Sequence, residues 1–450
     1  MKHFQVFNPE HDMALANGDK HFIAPKNIRE MARDLKPLLE AMQCRHPLVW
    51  GWDTAIKEQL HRQGIPADEL PTEAALAALR THSERKMAHW VLHAFRADKP
   101  DGPYTGESCI IHHTDEIEPY ATRHRHIVLK DPLSSSGKGL RHVNMNEGGL
   151  PLPCPQAELL WEDKSSVVAT DAHLASAQRG GTEGASSLSS SLSKIENWAN
   201  ALIKRHGYLT AEPYYHKMQD FAMEFQVIDG QCHFIGYSLF MTNPHGRYEE
   251  SILMEDEKIE EQLAQYVPRT ALHELREWII AHCHCIIPEE WDTTSFPLYF
   301  GIDMMVVKTT DKVAFEREQR LLADSVERSN FNEVNEQQTT DATQKTNFQF
   351  SILNSQFRIH PCVEINLRLN MGIIAHEVRR HILAPQTEGT FHVVAFPTTE
   401  ALKTFQREHT QNFPAVYQNG NVVSGYHPLT PIAADTRHHA YIICKQKELR

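Results

Sequence analysis

The sequence predicts an α/β region that gives way to an α+β region: an open, largely parallel sheet at the N-terminus, then lobes built on antiparallel strands. Three observations predict it. The chain has 450 residues, too many for one ordinary core, so two or three domains are expected. Strand-like and helical stretches alternate over residues 1–110, the pattern of a sheet with crossover helices. From residue 208 onward, period-two apolar runs are joined by turn residues, the pattern of hairpins.

The elements follow in order. HFQVFN (residues 3–8) reads as a strand, NIREMARDLKPLLEAM (27–42) has helical apolar spacing, and HPLVWGW (46–52) is again strand-like. PTEAALAALR (71–80) and SERKMAHWVLHAF (83–95) read as helices, with Ser83 as the expected N-cap of the second. IVLKDPLSSSGKGL (127–140) is a short buried strand ending in a lysine, followed by a serine-glycine loop. Residues 165–193 are rich in Ser, Ala and Gly and poor in large apolar side chains, the composition of a closing lid or a passive surface insertion. SLSKIENWANALIKRHG (191–207) reads as a helix ended by Gly207.

YLTAEPYY (208–215), FAMEFQVIDG (221–230) and CHFIGYSLFMT (232–242) follow, the last two joined at Asp229-Gly230-Gln231 as a hairpin. ALHELREWIIAHCHCII (271–287) is helical, and LYFGIDMMVVK (298–308) and FRIHPCVEINLRLN (357–370) are strong strand candidates. The polar residues 325–347 between them read as a hairpin insertion or disorder. After about residue 385, FHVVAF, a helix over 399–407 and AYIIC form a small tail.

Composition excludes several classes. Apolar residues make up 41% and the net charge is −13, which argues against a nucleic-acid binder, whose face should be basic. No run reaches the roughly 18 apolar residues of a membrane helix, and the N-terminus lacks the apolar core of a signal peptide. The eight cysteines show no disulfide-framework spacing, which suits a reducing cytoplasm. His282-Cys283-His284-Cys285 would place thiols and imidazoles on opposite sides of a strand, so no tetrahedral metal set forms locally.

The loop after residue 130 carries the chemistry. Glycines let the backbone approach a ligand, successive amides form an anion nest, and Lys138 adds a mobile charge to the more fixed Lys130. Two cations and a nest suit a polyphosphate. It is no Walker loop, because Pro132 replaces the first glycine and Gly139 the hydroxyl residue that would meet magnesium. Metal ligands must come from elsewhere. Asp303 interrupts an apolar run, where a buried aspartate without a partner is costly. Glu364 and Asn366 are two apart, hence on one strand face, and Arg368 continues the alternation. Oxygen ligands of this kind suit Mg²⁺ bridging substrate phosphates. A surface turn at the lysine loop and a solvated edge strand at Glu364 are the structural alternatives.

Taken together, IVLKDPLSSSGKGL, TAEPYY, MEFQVIDGQ, GIDMMVV and VEINLRLNMG, in that order, resemble the ATP-grasp superfamily over residues 110–380. The resemblance implies an N-terminal domain (1–110) preceding the grasp and an ATP-grasp domain (111–385). Within the latter it implies a small lobe over about 125–211 and a large lobe over about 212–385, with a C-terminal extension at 386–450. It implies ATP and Mg²⁺, with Mn²⁺ as a substitute. Lys130 would contact the α-phosphate side, and Ser135, Ser136, Gly137, Lys138 and Gly139 would cover the outer phosphates. Glu212 and the backbone near Tyr215 would hold adenine, Glu224 would approach ribose, and Asp303, Glu364 and Asn366 would hold the metal. Arg368 and Lys138 would serve the transfer itself. Asp303 departs from the glutamate many members carry.

The implied activity is ligation: a carboxylate takes the γ-phosphoryl group and an amine displaces phosphate. A small-molecule kinase on the same fold, or a non-catalytic nucleotide-binding protein, are the alternatives. The partners are then a small carboxylate and an amine, with neither nucleic acid nor membrane, and a homodimer is also implied. The loop FNPEHDMALANG (7–18) follows the first strand, where open sheets place binding residues. Asn8, Glu10, His11 and Asp12 are therefore candidates to orient a substrate, with a helix-capping turn as the alternative.

Overall fold

The computed structural model describes residues 4–44, 46–134, 139–145, 151–152, 184–242, 248–309 and 356–445, with the backbone alone for 151–152 and 184–192. The N-terminal region opens with strand β1 (Gln5–Val6) and helix α1 (His11–Asn17), then α2 (Lys26–Leu35), which tightens at Pro37 into a 3₁₀ stretch, Lys36–Met42. Strand β2 (Leu48–Val49) and helices α3 (Thr54–Arg62), α4 (Glu73–His82) and α5 (Arg85–Asp98) complete it. β1 and β2 pair in parallel, as expected, but each spans only two residues. Helices therefore dominate the described part of this region.

The small lobe is a five-stranded antiparallel sheet in the order β3-β7-β4-β5-β6. Its strands are β3 (Cys109–Ile111), β4 (His126–Lys130), β5 (Leu140–Met145), β6 (Pro151–Leu152) and β7 (Leu209–Pro213), with α6 (Ile117–His124) and α7 (Gly184–His206). The sheet thus begins at residue 109, ahead of the expected boundary near 125. Its core is a separate cluster of Ile127, Leu129, Leu209, Ala211 and their neighbours. Helix α7 starts at Gly184, so the end of the Ser-rich stretch is helical, and Gly207 closes it in a left-handed conformation. Residues 165–183 of that stretch, and the insertion at 325–347, lie outside the described residues.

The large lobe is a nine-stranded sheet, β12-β11-β8-β9-β10-β13-β16-β15-β14. In chain order these are β8 (His216–Ile228), β9 (Gln231–Thr242), β10 (Tyr248–Leu253), β11 (Leu298–Lys308), β12 (Phe357–Asn366), β13 (Gly389–Ala395), β14 (Val416–Gln418), β15 (Asn421–Pro428) and β16 (His438–Cys444). Helices α8 (Asp256–Leu263), α9 (Arg269–Ile286), α10 (Met371–Ile382) and α11 (Thr399–Asn412) accompany it. The β8–β9 turn is the expected hairpin, with Asp229 at φ 51° and Gly230 at φ 73°, the conformation a two-residue turn of this kind requires.

Strand β8 is buried on both faces, and the two faces do different things. Phe221, Met223, Phe225 and Val227 pack with Leu272, Leu275 and Ile279 of α9. The opposite face carries Glu224, fully buried. Alternation along one strand therefore sets a large apolar core against a polar cleft. Helices α3 to α5 share that core through Leu60, Leu79, Leu92 and Phe95. The N-terminal region is thus continuous with the large lobe in its packing.

The C-terminal residues, read as a small tail, join the large sheet: β13 pairs with β10, so β13 to β16 extend it. Two readings are corrected. Ser83 does not cap α5. It closes α4, its hydroxyl donating to Leu79 O at 2.8 Å, and Glu84 occupies the N-cap position of α5. His282 to Cys285 lie in the last turns of α9 and not on a strand, with His282 stacked on Trp278 at 4.1 Å.

Candidate active site

Lys130 ends β4, which pairs antiparallel with β5. Asp131 N donates to Gly139 O at 2.9 Å, closing the loop neck. Gly139 has φ 73°, and a Cβ there would lie 2.6 Å from Ser134 Oγ, so the neck excludes a side chain. Ser135, Ser136, Gly137 and Lys138 lie outside the described residues.

Lys130 is buried, with Nζ 2.5 Å from Glu212 Oε2 on the adjacent strand β7. The same ammonium donates across the lobes to Val363 O of β12 at 3.4 Å, one residue before Glu364. Tyr215 follows β7, its hydroxyl accepts from Glu107 N at 2.8 Å, and its ring stands edge-on to His360 of β12 at 5.2 Å. His360 is fully buried with neither ring nitrogen partnered among the described residues. Burial, then the nearby Lys130 and Arg96 charges, push its imidazole down to about 3.

The carboxylates converge on the large-lobe side. Strand register sets Asp303 opposite Glu364 and Gly301 opposite Asn366. Asn366 Nδ2 donates to Asp303 Oδ2 at 3.2 Å. Burial first, then the Glu364 charge, hold the Asp303 carboxyl above its usual range, with the Asn366 bond opposing. Glu224 faces Gly301 on β11. A Cβ at Gly301 or Gly372 would lie 2.3 or 2.1 Å from its oxygens. Asn370 caps α10 by accepting from Ile373 N at 3.0 Å and donates to Glu224 Oε2 at 2.7 Å. Burial pushes Glu224 up to about 8, against the Asn370 bond.

Two arginines reach this cluster. Arg368 forms a two-pronged pair with Asp12 in the first turn of α1, at 3.1 and 2.8 Å. Burial lowers its pKa and Asp12 raises it, with a net rise. Arg85, at the start of α5, donates to Asp131 O at 3.0 Å, Ser134 O at 2.8 Å and Glu364 Oε1 at 3.3 Å. It ties the neck of the lysine loop to the carboxylate strand.

The N-terminal loop is ordered by its own network. Asn8 bonds Gly51 in both directions: its Nδ2 donates to Gly51 O at 2.8 Å, and its Oδ1 accepts from Gly51 N at 3.2 Å. Asp53 caps α3 through Oδ1, while Oδ2 meets Asn8 Nδ2 and His11 Nδ1, each at 3.3 Å. Glu10 Oε2 is buried without a partner among the described residues, and burial raises its carboxyl.

A cavity of about 330 Å³ opens beside the cluster, bordered by Glu224, Asp303, Glu364, Arg368 and Asn370 with Trp50 and Phe240 as apolar walls. A narrow gap of about 20 Å³ borders it, holding His11, Asp12, Arg85, Glu364 and Arg368. Lys130, Glu212 and Tyr215 border neither space; they lie on the small-lobe side of the Lys130–Val363 contact, and Asp303, Glu364, Asn366 and Arg368 on the large-lobe side. Glu224 lies among the carboxylates, away from the Glu212–Tyr215 hinge. Asn8 and Glu10 stand behind His11 and Asp12, which reach the gap.

Oxygen donors from two carboxylates and an amide fit a hard divalent cation, and the raised Asp303 is what a cation would relieve. Among the described residues, no group of three or more His, Cys, Asp or Glu side chains is arranged to hold a metal. Any such ion would therefore rely on the Asn366 oxygen and on ligand oxygens. Sequence reasoning missed Arg85, Asp53, Asn370 and the two glycines. Asn370 and Asp53 carried a signal, each a capping residue directly before a helical run, MGIIAHEV and TAIKEQLHR.

No protein-family profile matches the chain, and no curated protein matches it. Solved structures do. One is N5-carboxyaminoimidazole synthetase from Staphylococcus aureus complexed with ADP, with 9% identity, 94% of this chain, 82% of that chain and TM-score 0.43. A second is N5-carboxyaminoimidazole ribonucleotide synthetase from Thermus thermophilus, with 9% identity, 91% and 79% coverage and TM-score 0.42. A third is biotin carboxylase from Campylobacter jejuni, with 12% identity, 93% and 74% coverage and TM-score 0.41.

Proposed function

We propose that the chain is an ATP-grasp ligase that activates a small carboxylate and joins it to an amine. One observation carries the reading. The buried Lys130 of the small lobe reaches the backbone of Val363, immediately before Glu364 in the carboxylate strand of the large lobe. That contact supports a cation and a set of oxygen ligands acting on one ligand, as a metal-bound triphosphate requires.

The roles follow from placement. Lys130 and the loop after it would hold phosphate oxygens, and Glu212 and the Tyr215 segment would border the base. Asp303, Glu364 and Asn366 would hold Mg²⁺, which when bound neutralises charge on the transferring phosphoryl group. Arg368, fixed by Asp12, would face the reacting end. The cavity beside them is bordered by Asp12, Glu224, Asp303, Glu364 and Arg368. The buried walls keep water from a reactive acyl phosphate.

The test is an ADP-release screen with Mg²⁺, ATP and pools of carboxylic acids and amines, with hydroxylamine added to trap acyl phosphate. A ligase releases ADP in a carboxylate-dependent way and yields hydroxamate. A kinase releases ADP without hydroxamate, and a non-catalytic binder does neither. Lys130→Ala and Glu364→Ala should each abolish product while the protein stays folded.

A further inference from the structure

We infer that His11, oriented by Asp53, is the proton acceptor for the incoming nucleophile. The inference rests on the ligase reading above and adds a residue to its second step. Both side chains are buried, at 1% and 2% exposure. A buried imidazole needs its donor and acceptor accounted for. Asp53 Oδ1 is committed to the Ile56 amide, and Oδ2 lies 3.3 Å from His11 Nδ1. With Asp53 Oδ2 as the acceptor, the tautomer that carries its hydrogen on Nδ1 leaves the Nε2 lone pair available.

That nitrogen has no hydrogen-bond partner among the described residues. His11 borders the narrow gap with Asp12, Arg85, Glu364 and Arg368, so it stands where the reacting end would be. The charged groups around it are Asp53 from the start of α3, Glu10 and Asp12 from the start of α1, Glu84 and Arg85 from the start of α5, and Glu364 and Arg368 from β12 and its end.

The placement is built. A Cβ at Gly51 would lie 2.3 Å from His11 Cγ, so only glycine lets the ring sit there. Asn8 pins the same glycine from both sides. A carboxylate-fixed imidazole with one free nitrogen beside a reactive centre is the arrangement of a general base.

The proton balance is complete. The amine arrives as an ammonium ion, and His11 Nε2 takes one proton. The freed nitrogen pair attacks the acyl carbon, forming the carbon–nitrogen bond. The carbon–oxygen bond to phosphate then breaks with its electron pair on the phosphate, which takes the second nitrogen proton. Amide, hydrogen phosphate and imidazolium result, and the imidazolium returns its proton to solvent.

The experiment compares two nucleophiles in the full-length protein, with ATP, Mg²⁺ and the carboxylic-acid pool. Hydroxylamine is largely unprotonated at neutral pH and needs no base, whereas the pooled aliphatic amines are protonated. His11→Gln should keep hydroxamate formation within a few-fold of wild type and lose amide formation by roughly 10²–10⁴-fold. Asp53→Asn, which retains the helix-capping oxygen, should show the same split with a smaller loss. Parallel loss of both products in a folded His11→Gln protein, or no loss of either, overturns the inference. Absence of hydroxamate in the wild type overturns the ligase reading instead.

Discussion

Glu224 stands with its carboxylate wedged between Gly301 and Gly372 and held by Asn370. Burial pushes its pKa up to about 8, so the folded protein holds a proton that the unfolded chain releases near pH 4.5. Its contribution to stability is present at low pH and lost as pH rises through 8, at up to about 1.4 kcal/mol per pH unit. Without Mg²⁺, denaturant midpoints of the wild type should fall from pH 5 to pH 8.5 more steeply than those of Glu224→Gln. Equal slopes would show that Glu224 is not protonated in the folded state. In the sequence Glu224 entered only through the family resemblance, as a residue near ribose. Its company was not legible, because Asn370 lies 146 residues away and the room for it comes from glycines on other elements.

At the scale of elements, helix α5 matters for what its first residue joins. Arg85 bridges the neck of the lysine loop and Glu364, 279 residues further along the chain. Charge-assisted bonds of a buried guanidinium contribute about 1.5–3 kcal/mol each. Arg85→Met should therefore lower unfolding free energy by about 2–4 kcal/mol and weaken ATP binding, since the loop neck loses its anchor. Unchanged ATP affinity in calorimetry would leave Arg85 a structural residue only. Nothing in SERKMAHW marked this arginine, whose partners are backbone carbonyls of a loop and an acid on a distant strand. Strands β8, β9, β11 and β12 were legible because period-two alternation and the Asp229-Gly230 turn are local signals. The pairing of β10 with β13, which brings the C-terminal residues into the large sheet, is non-local, and composition carries no trace of it.

Across the whole molecule, the two larger cores cross the expected boundaries. One runs from helices α3 to α5 into β8, β11 and α9, and the other joins Leu35, Leu38 and Trp50 to α10, β13 and β16. A chain ending at residue 385 loses β13 to β16, uncovers that second core and leaves the edge of β10 unpaired. It should be insoluble or lack a cooperative thermal transition. A soluble, cooperatively melting truncation would show that 386–450 is dispensable to the large lobe.

The proposed nucleotide site depends on the same continuity, because Lys130 bonds β12 across the lobes and Arg85 joins the loop neck to Glu364. Titration calorimetry of ATP into the wild type, Lys130→Ala and Glu364→Gln proteins, each with and without Mg²⁺, tests this most directly. Tight binding that needs Mg²⁺ in the wild type, at least about tenfold weaker in Lys130→Ala and no longer Mg²⁺-dependent in Glu364→Gln, is the predicted result. Equal, Mg²⁺-independent binding by all three folded proteins would contradict a nucleotide site shared between the lobes.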